Sequence, residues 1–226
     1  MLEYKVLDTS KELINKNKKL IDTNKEIINI DQDLFYLPSE NDPVLSADVG
    51  IFSGGKALWL YDCGASDKAC TLISGFEKVN VTISHFHRDH SFNLQRLNNV
   101  DSLYVSKYSF DYFKAGTIVT DELFIEDGGM IHIFPVPNSH CKGSLGMEIN
   151  EKYVFLGDSV YGKHIDRRLA YNVQLLLEQY RLLERIKADK CIISHDEKCI
   201  IDKAEIIAKF DKILTKRKVG ETMIVL

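Results

Sequence analysis

The chain has 226 residues, 45% of them hydrophobic, with 29 basic against 33 acidic side chains and a formal net charge of −4. That length and apolar content fit one domain over residues 1–226, with residues 1–25 as an N-terminal extension, and the charge gives no global reason to bind nucleic acid or an anionic membrane. No apolar run approaches the about 20 residues that span a bilayer, and the start MLEYKVLDTSKELINKNKKL is charged where a signal peptide is apolar, so a cytoplasmic protein is expected.

Along the chain, TSKE at Thr9 to Glu12 can open a helix with a capping box, while KKLIDTNKEIINI reads equally as a hairpin turning at Asp22, Thr23 and Asn24. Short runs of strand character follow: EIINI, LFYL, ADVGIF and ALWLYD, then a helix at DKACTLISGF and the strand NVTIS. From Ser91 the pattern alternates, with a helix over SFNLQRLNN, the strand SLYVS, a helix over KYSFDYFKA, and strands at TIV, ELFIE and MIHIFPV. GMEIN and YVFLGD are joined through Glu151 and Lys152, which suits a tight hairpin. A long helix is predicted from about Arg167 to Ala188, with Leu169, Val173, Leu176, Tyr180, Leu183 and Ile186 on one stripe; the strand KCIIS and the helix DKAEIIAKFDKIL close the chain. Strands in two blocks, each closed by helices, predict two packed sheets with helices outside.

Three of the seven histidines and an aspartate crowd into six residues of VTISHFHRDHSF, directly behind an apolar strand. Asp89 alone could be a helix N-cap, but that leaves His85, His87 and His90 unexplained, and imidazole is the commonest side-chain metal ligand. Alternation along the strand end aims His85 and His87 to one side, and the turn that follows lets Asp89 and His90 face a neighbouring point. Further candidate ligands stand at the ends of other apolar strands, His140 after MIHIFPVPNS, Asp158 after YVFLG and His195 after KCIIS, and Asp62 after ALWLY makes a fourth strand-end polar residue. A strand end is where a rigid sheet presents a side chain to a cleft. The five cysteines, Cys63, Cys70, Cys141, Cys191 and Cys199, have no CxxC spacing and are read as reduced, buried packing.

Asp62, HFHRDH at 85–90, His140, Asp158 and His195, in that order, resemble the five motifs of the metallo-β-lactamase superfamily, and the resemblance covers about Glu26 to Ile207. It implies an αββα sandwich with the metals at one edge between the sheets. Carried over, His85, His87 and His140 hold one divalent ion, Asp89, His90 and His195 hold a second, and Asp158 bridges them. Asp89 and Asp158 are thereby the candidate catalytic carboxylates, and Asp62 orients a histidine ligand. Zinc is the expected metal, with manganese or iron also able to serve. Phe86 and Arg88 inherit no role. Cys63 and Cys141 stand where relatives often have threonine, and His195 sits in SHDE where many have glycines. His132 and His164 match no motif and are expected to be a strand and a loop histidine.

The resemblance implies hydrolysis, in which a hydroxide bridging the metals attacks the substrate. Aspartate at the fourth motif and the charged start argue against β-lactam cleavage and toward the thioesterase, lactonase and phosphodiesterase branches. YGKHIDRR after the bridging aspartate reads either as a helix start capped by Asp166, or as a clamp for an anionic small molecule. The clamp would be made by Tyr161, Lys163, His164, Arg167 and Arg168, with Lys142 joining and Tyr161 as an oxyanion donor. Because every motif histidine is spent on metal, no spare general acid is visible, which favours an ester or thioester over a phosphodiester of a nucleotide. The same motifs are also compatible with a mononuclear iron enzyme of the persulfide-dioxygenase kind and with a non-catalytic binding protein, and the oligomeric state stays open.

Overall fold

The computed structural model describes residues 15–21, 24 and 26–226. Seven strands form one sheet in sequence order: β1 (Ile28–Asp31), β2 (Leu34–Leu37), β3 (Val49–Ser53), β4 (Leu58–Tyr61), β5 (Val79–Thr82), β6 (Val100–Val105) and β7 (Thr117–Ile118). Pairing is antiparallel from β1 to β4 and parallel from β4 to β7. The parallel half requires crossovers. These are α1 (Asp67–Gly75), the short α2 (Arg88–Ser91) running into a 3-10 turn over Phe92–Arg96, and α3 (Lys107–Phe113).

The second sheet is built from β8 (Leu123–Glu126), β9 (Met130–Val136), β10 (Ser144–Ile149), β11 (Tyr153–Gly157), β14 (Lys190–Ile193) and β15 (Ile200–Asp202), in the order β15-β14-β11-β10-β9-β8. A small third sheet joins β12 (Lys163–Ile165), β13 (Arg168–Asn172) and β16 (Met223–Val225). Helices α4 (Val173–Arg185) and α5 (Lys203–Leu214) complete the chain.

The central strands of both large sheets are buried on two faces, and alternation distributes each of them between two cores. On β4, Leu58 and Leu60 pack under α1 with Leu72 and Ile73, whereas Trp59 and Tyr61 turn inward to Ile133, Leu145, Met147 and Phe155 of the second sheet. On β11, Phe155 faces the first sheet while Val154 and Leu156 face α4 and α5 with Leu183 and Phe210. Gly50 marks how close the sheets come, since a Cβ there would lie 2.4 Å from the Phe155 ring. The result is the expected αββα layering.

Four local expectations are corrected. The long helix does not begin at Arg167: Asp166 (φ 49°) and Arg167 (φ 65°) form the left-handed turn of a β12–β13 hairpin. Asn172, not Asp166, caps α4, its side chain accepting from Leu175 N at 3.0 Å. The SFNLQRLNN helix shortens to α2 and its 3-10 turn, whereas the tight β10–β11 hairpin forms as expected, with Glu151 (φ 55°) and Lys152 in its turn after Asn150 (φ 54°). Residues 15–21 are helical, so the hairpin reading of Lys18 to Ile30 fails on its first arm; Thr9 to Glu12, Asp22 and Thr23 lie outside the described residues. Among the described residues, no helix is long and apolar enough to cross a membrane.

Candidate metal centre

Each candidate ligand leaves the sheets at a point where the backbone is forced to turn. β5 ends at Thr82, and Ile83 N still bonds Tyr104 O before the chain leaves the sheet toward α2, delivering His85, His87, Asp89 and His90 within one loop and turn. The loop after β4 holds α2 from below: Cys63 N and Gly64 N both donate to His90 O, at 2.9 and 3.1 Å. Asp158 follows Gly157 (φ 53°), and a Cβ on Gly157 would crowd Ser84 at 3.0 Å. Asp62 (φ 64°) and His195 (φ 62°) are themselves left-handed, a conformation non-glycine residues hold only when the surroundings dictate it.

The seven candidates meet in two groups. His85, His87 and His140 bring ligand atoms within 4.8 Å of one another, and so do Asp89, His90, Asp158 and His195. Asp158 lies between the groups: its Oδ2 is 3.4 Å from His140 Nε2 in the first and 3.4 Å from His90 Nε2 in the second. His140 Nε2 faces His87 Nδ1 at 3.2 Å, and His195 Nε2 faces Asp89 Oδ2 at 3.0 Å. His85 Nε2, His90 Nε2 and Asp158 Oδ1 are buried with no hydrogen-bond partner. Buried polar atoms are nearly always satisfied. Three orphans aimed into one small volume lined by imidazole and carboxylate fit cations as the missing partners.

Asp62 sets which nitrogens are free. It is wholly buried and accepts from Ser84 N at 2.7 Å, Ser84 Oγ at 2.8 Å and His90 Nδ1 at 2.7 Å. With the Ser84 hydroxyl hydrogen given to Asp62, Ser84 Oγ is left to accept from His85 Nδ1 at 2.9 Å. One carboxylate therefore places the proton of His85 and of His90 on Nδ1 and leaves both Nε2 lone pairs toward the centre.

Electrostatics divides the groups in the same way. Burial lowers His85, His87 and His140 below the ordinary imidazole range, so the first group is a set of neutral lone pairs. In the second group burial works against the charged imidazole, but Asp62 and Asp158 outweigh it and hold His90 up to about 10, so with no cation present its Nε2 holds a second proton, which a bound divalent ion would replace. At His195 burial likewise opposes the charged form, and the hydrogen bond that its ring donates to Asp89 prevails, raising it. The second group thus has the negative potential that suits a cation.

The remaining expectations separate. Tyr161 donates its hydroxyl to Ser194 O at 2.7 Å, so it buttresses the strand end that carries His195 instead of offering a free donor. Lys163, His164, Arg167 and Arg168 stand on the β12–β13 hairpin with exposed side chains; His164 is a strand residue, not a loop one, and the hairpin turn replaces the helix start that Asp166 was expected to cap. Asp89 is not a helix N-cap; α2 starts at Arg88, and the Asp89 carboxylate goes to His195. Cys63 and Cys141 are buried and lie outside both ligand groups, and burial pushes the Cys141 thiol up to about 11. His132 is a strand histidine on β9, its Nδ1 3.0 Å from Glu148 Oε2 across the β9–β10 pair.

Two contributors carry no motif signal. Ser84 is one, two residues past the end of β5 and read from the sequence only as the close of the run NVTIS. Asp48 is the other: its Oδ2 accepts from His195 N at 3.1 Å and its Oδ1 from Ser39 N at 2.9 Å, pinning the left-handed turn that presents His195. A buried aspartate inside the apolar run ADVGIF is the only trace of it in the sequence.

No protein-family model and no curated protein matches the sequence. Solved structures do resemble it. A B3 metallo-β-lactamase with an active-site glutamic acid superposes with a TM-score of 0.62 at 16% identity, covering 90% of this chain and 94% of that one. An archaeal metallo-β-lactamase superfamily protein from Sulfolobus tokodaii does so with a TM-score of 0.60 at 14% identity, over 84% and 90%. A chemotaxis sensor captured as a peroxy diiron species gives 0.64 at 16% identity, over 86% and 96%. At such identities the likeness carries the fold, and the fold is that of the metallo-β-lactamases.

Proposed function

We propose that this metallo-β-lactamase-fold protein is a metal-dependent hydrolase. One divalent ion would be held by His85, His87 and His140 and a second by Asp89, His90 and His195, with Asp158 shared between them. The observation that carries the reading is the pair of convergent ligand groups with one carboxylate within reach of both and three buried ligand atoms left without a partner. Two separate groups favour two ions over a mononuclear iron site, which needs only one face of three ligands.

Two divalent ions in such a site supply a water deprotonated near neutral pH and a Lewis acid for the oxygen under attack. The chain's own part is to hold the ligands rigid: Asp62 and Ser84 fix the tautomers of His85 and His90, and Asp48 fixes the His195 turn. Zinc is the metal we favour, on the imidazole-rich donor set.

Within the ester or thioester class, a thioester is favoured over an alkyl ester or a phosphodiester because the two candidate general acids are not free at the centre. Tyr161 spends its proton on Ser194 O, and His164 projects from an exposed hairpin. A thiolate, with a pKa of about 8.5, leaves without a proton donor, whereas an alkoxide needs one. The test is the full-length protein reconstituted with zinc, manganese or iron, its metal content measured, and turnover followed on an acyl thioester, a lactone, a bis-aryl and an alkyl phosphodiester. Thioester or lactone turnover with close to two ions per chain is expected. Turnover of the alkyl phosphodiester alone overturns the bond assignment, and one tightly bound ion overturns the dinuclear one.

A further inference from the structure

A cavity of about 450 Å³ lies against the Arg88–Ser91 segment that carries Asp89 and His90, between the 3-10 turn, β6 and α3. Its wall is apolar, made by Phe92, Leu97, Leu103 and Phe113 among others, and its mouth carries Arg88 and Tyr112. That volume falls within the range of small-molecule sites. None of the seven candidate ligands lines it, and two ring contacts link its rim to them. Tyr112, exposed at the rim, stacks on Phe86 with ring centres 5.7 Å apart, and Phe86 lies edge-on to His87 at 5.4 Å. Arg88 stands between His87 and Asp89 in the chain. Its guanidinium lies over the Phe92 ring at 4.2 Å, and among the described residues it has no carboxylate partner.

An apolar cavity with one unpaired cation at its mouth is complementary to an amphiphilic anion, a hydrocarbon arm ending in a carboxylate. We propose that this cavity is the acyl-arm subsite of the centre. The hydrocarbon chain of an acyl ester or thioester lies among Phe92, Leu97, Leu103 and Phe113, and the carboxylate released on hydrolysis is met by Arg88. This rests on the hydrolase reading above. In the reaction, water gives its oxygen to the acyl carbon as the carbon–sulfur or carbon–oxygen bond breaks. The leaving group departs as a thiol or alcohol, and the acyl product carries away the negative charge while one proton is released. Arg88, which the sequence motif leaves without a role, becomes the residue that recognises the product.

Binding is measured by calorimetry on the full-length protein as purified, titrated with butanoate, hexanoate, octanoate and decanoate and with the matching primary alcohols. A carboxylate bound to metal is indifferent to chain length, so the slope against chain length reads the cavity alone. Affinity is expected to rise about three- to fourfold per added CH₂ until the cavity is full. Ala115→Trp, at an exposed position on the cavity wall, should flatten that slope without disturbing the core; Leu103→Trp should do the same from within. Arg88→Met should weaken the alkanoates by about tenfold and leave the alcohols unchanged. Binding that ignores chain length, or a slope unmoved by Ala115→Trp, overturns the proposal. A chain-length slope in binding with no acyl thioester turned over leaves the cavity as an amphiphile site, overturns its acyl-substrate role and fails the hydrolase reading.

Discussion

Asp62→Asn is the sharpest probe of how the two ligand groups are wired. Asparagine keeps the shape of aspartate and tolerates the left-handed backbone at this position (φ 64°), so the fold has no steric reason to change. If Oδ1 keeps the hydrogen bond from Ser84 N, the amide nitrogen replaces Oδ2 and faces His90 Nδ1 at about 2.7 Å. Two N–H groups cannot point at each other, so the His90 proton moves to Nε2, the atom 3.4 Å from Asp158 and 3.5 Å from Asp89. The lone pair that serves the second group is then lost. Restoring it means leaving a buried donor unpartnered, at a cost of about 1–3 kcal/mol, which matches the roughly 10–100-fold loss typical when a residue orienting a ligand is removed. His85 is affected less: Ser84 Oγ loses Asp62 Oδ2 as its acceptor, but the deprotonated His90 Nδ1, 3.3 Å away, can take the hydroxyl hydrogen and leave Oγ to accept from His85 Nδ1. The expected outcome is that metal content, measured by mass spectrometry after equilibration with limiting zinc against a chelator, falls from close to two ions to about one per chain. An unchanged second affinity, or an equal fall in both, would refute the tautomer argument.

Ser84→Ala should show the mirror image, since it strips His85 Nδ1 of its partner while His90 keeps Asp62; the same chelator competition should find the first group weakened more. Asp158→Ala should lower occupancy of both groups together, as it is the candidate ligand that reaches each, and full metal with full turnover would dismiss it as the shared ligand. Glu148 accepts from His132 and from Ala188 N at 2.7 Å; burial opposes its charge, but these bonds outweigh burial and hold it below the ordinary glutamate range. A carboxyl lowered in the fold stabilises above its unfolded value and loses that contribution as pH falls through the folded one. Urea titrations should therefore show Glu148→Gln less stable than the parent at pH 7, with the gap closing below about pH 4.3. Cys63→Ser and Cys141→Ser should each retain full metal content, because neither thiol lies in a ligand group, and loss of an ion in either variant would promote that sulfur to ligand.

What the sequence determines by itself is the position of the ligands along the chain. Alternation in a strand has a period of two, and each apolar run ends where the sheet ends, so Asp62, His85, His140, Asp158 and His195 are legible as strand-end polar residues from local pattern alone. The two packed sheets follow from the same signal. Tertiary structure decided what these residues rest on. Asp48 supports His195 across 147 positions of sequence, and Ser84 reads as an ordinary strand end until Asp62 and His85 close on it. Arg88, a variable position in a metal motif, gains its unpaired place over Phe92 only when the 3-10 turn and α3 enclose a cavity beside it. The stretch DRRLAYNV carries a helical stripe, yet it folds as a turn and a strand, because β13 pairs with β16 from the far end of the chain and fixes Asp166 and Arg167 in left-handed conformation. Periodicity is a property of neighbours in sequence, whereas hydrogen bonds between distant segments form only once the chain has packed.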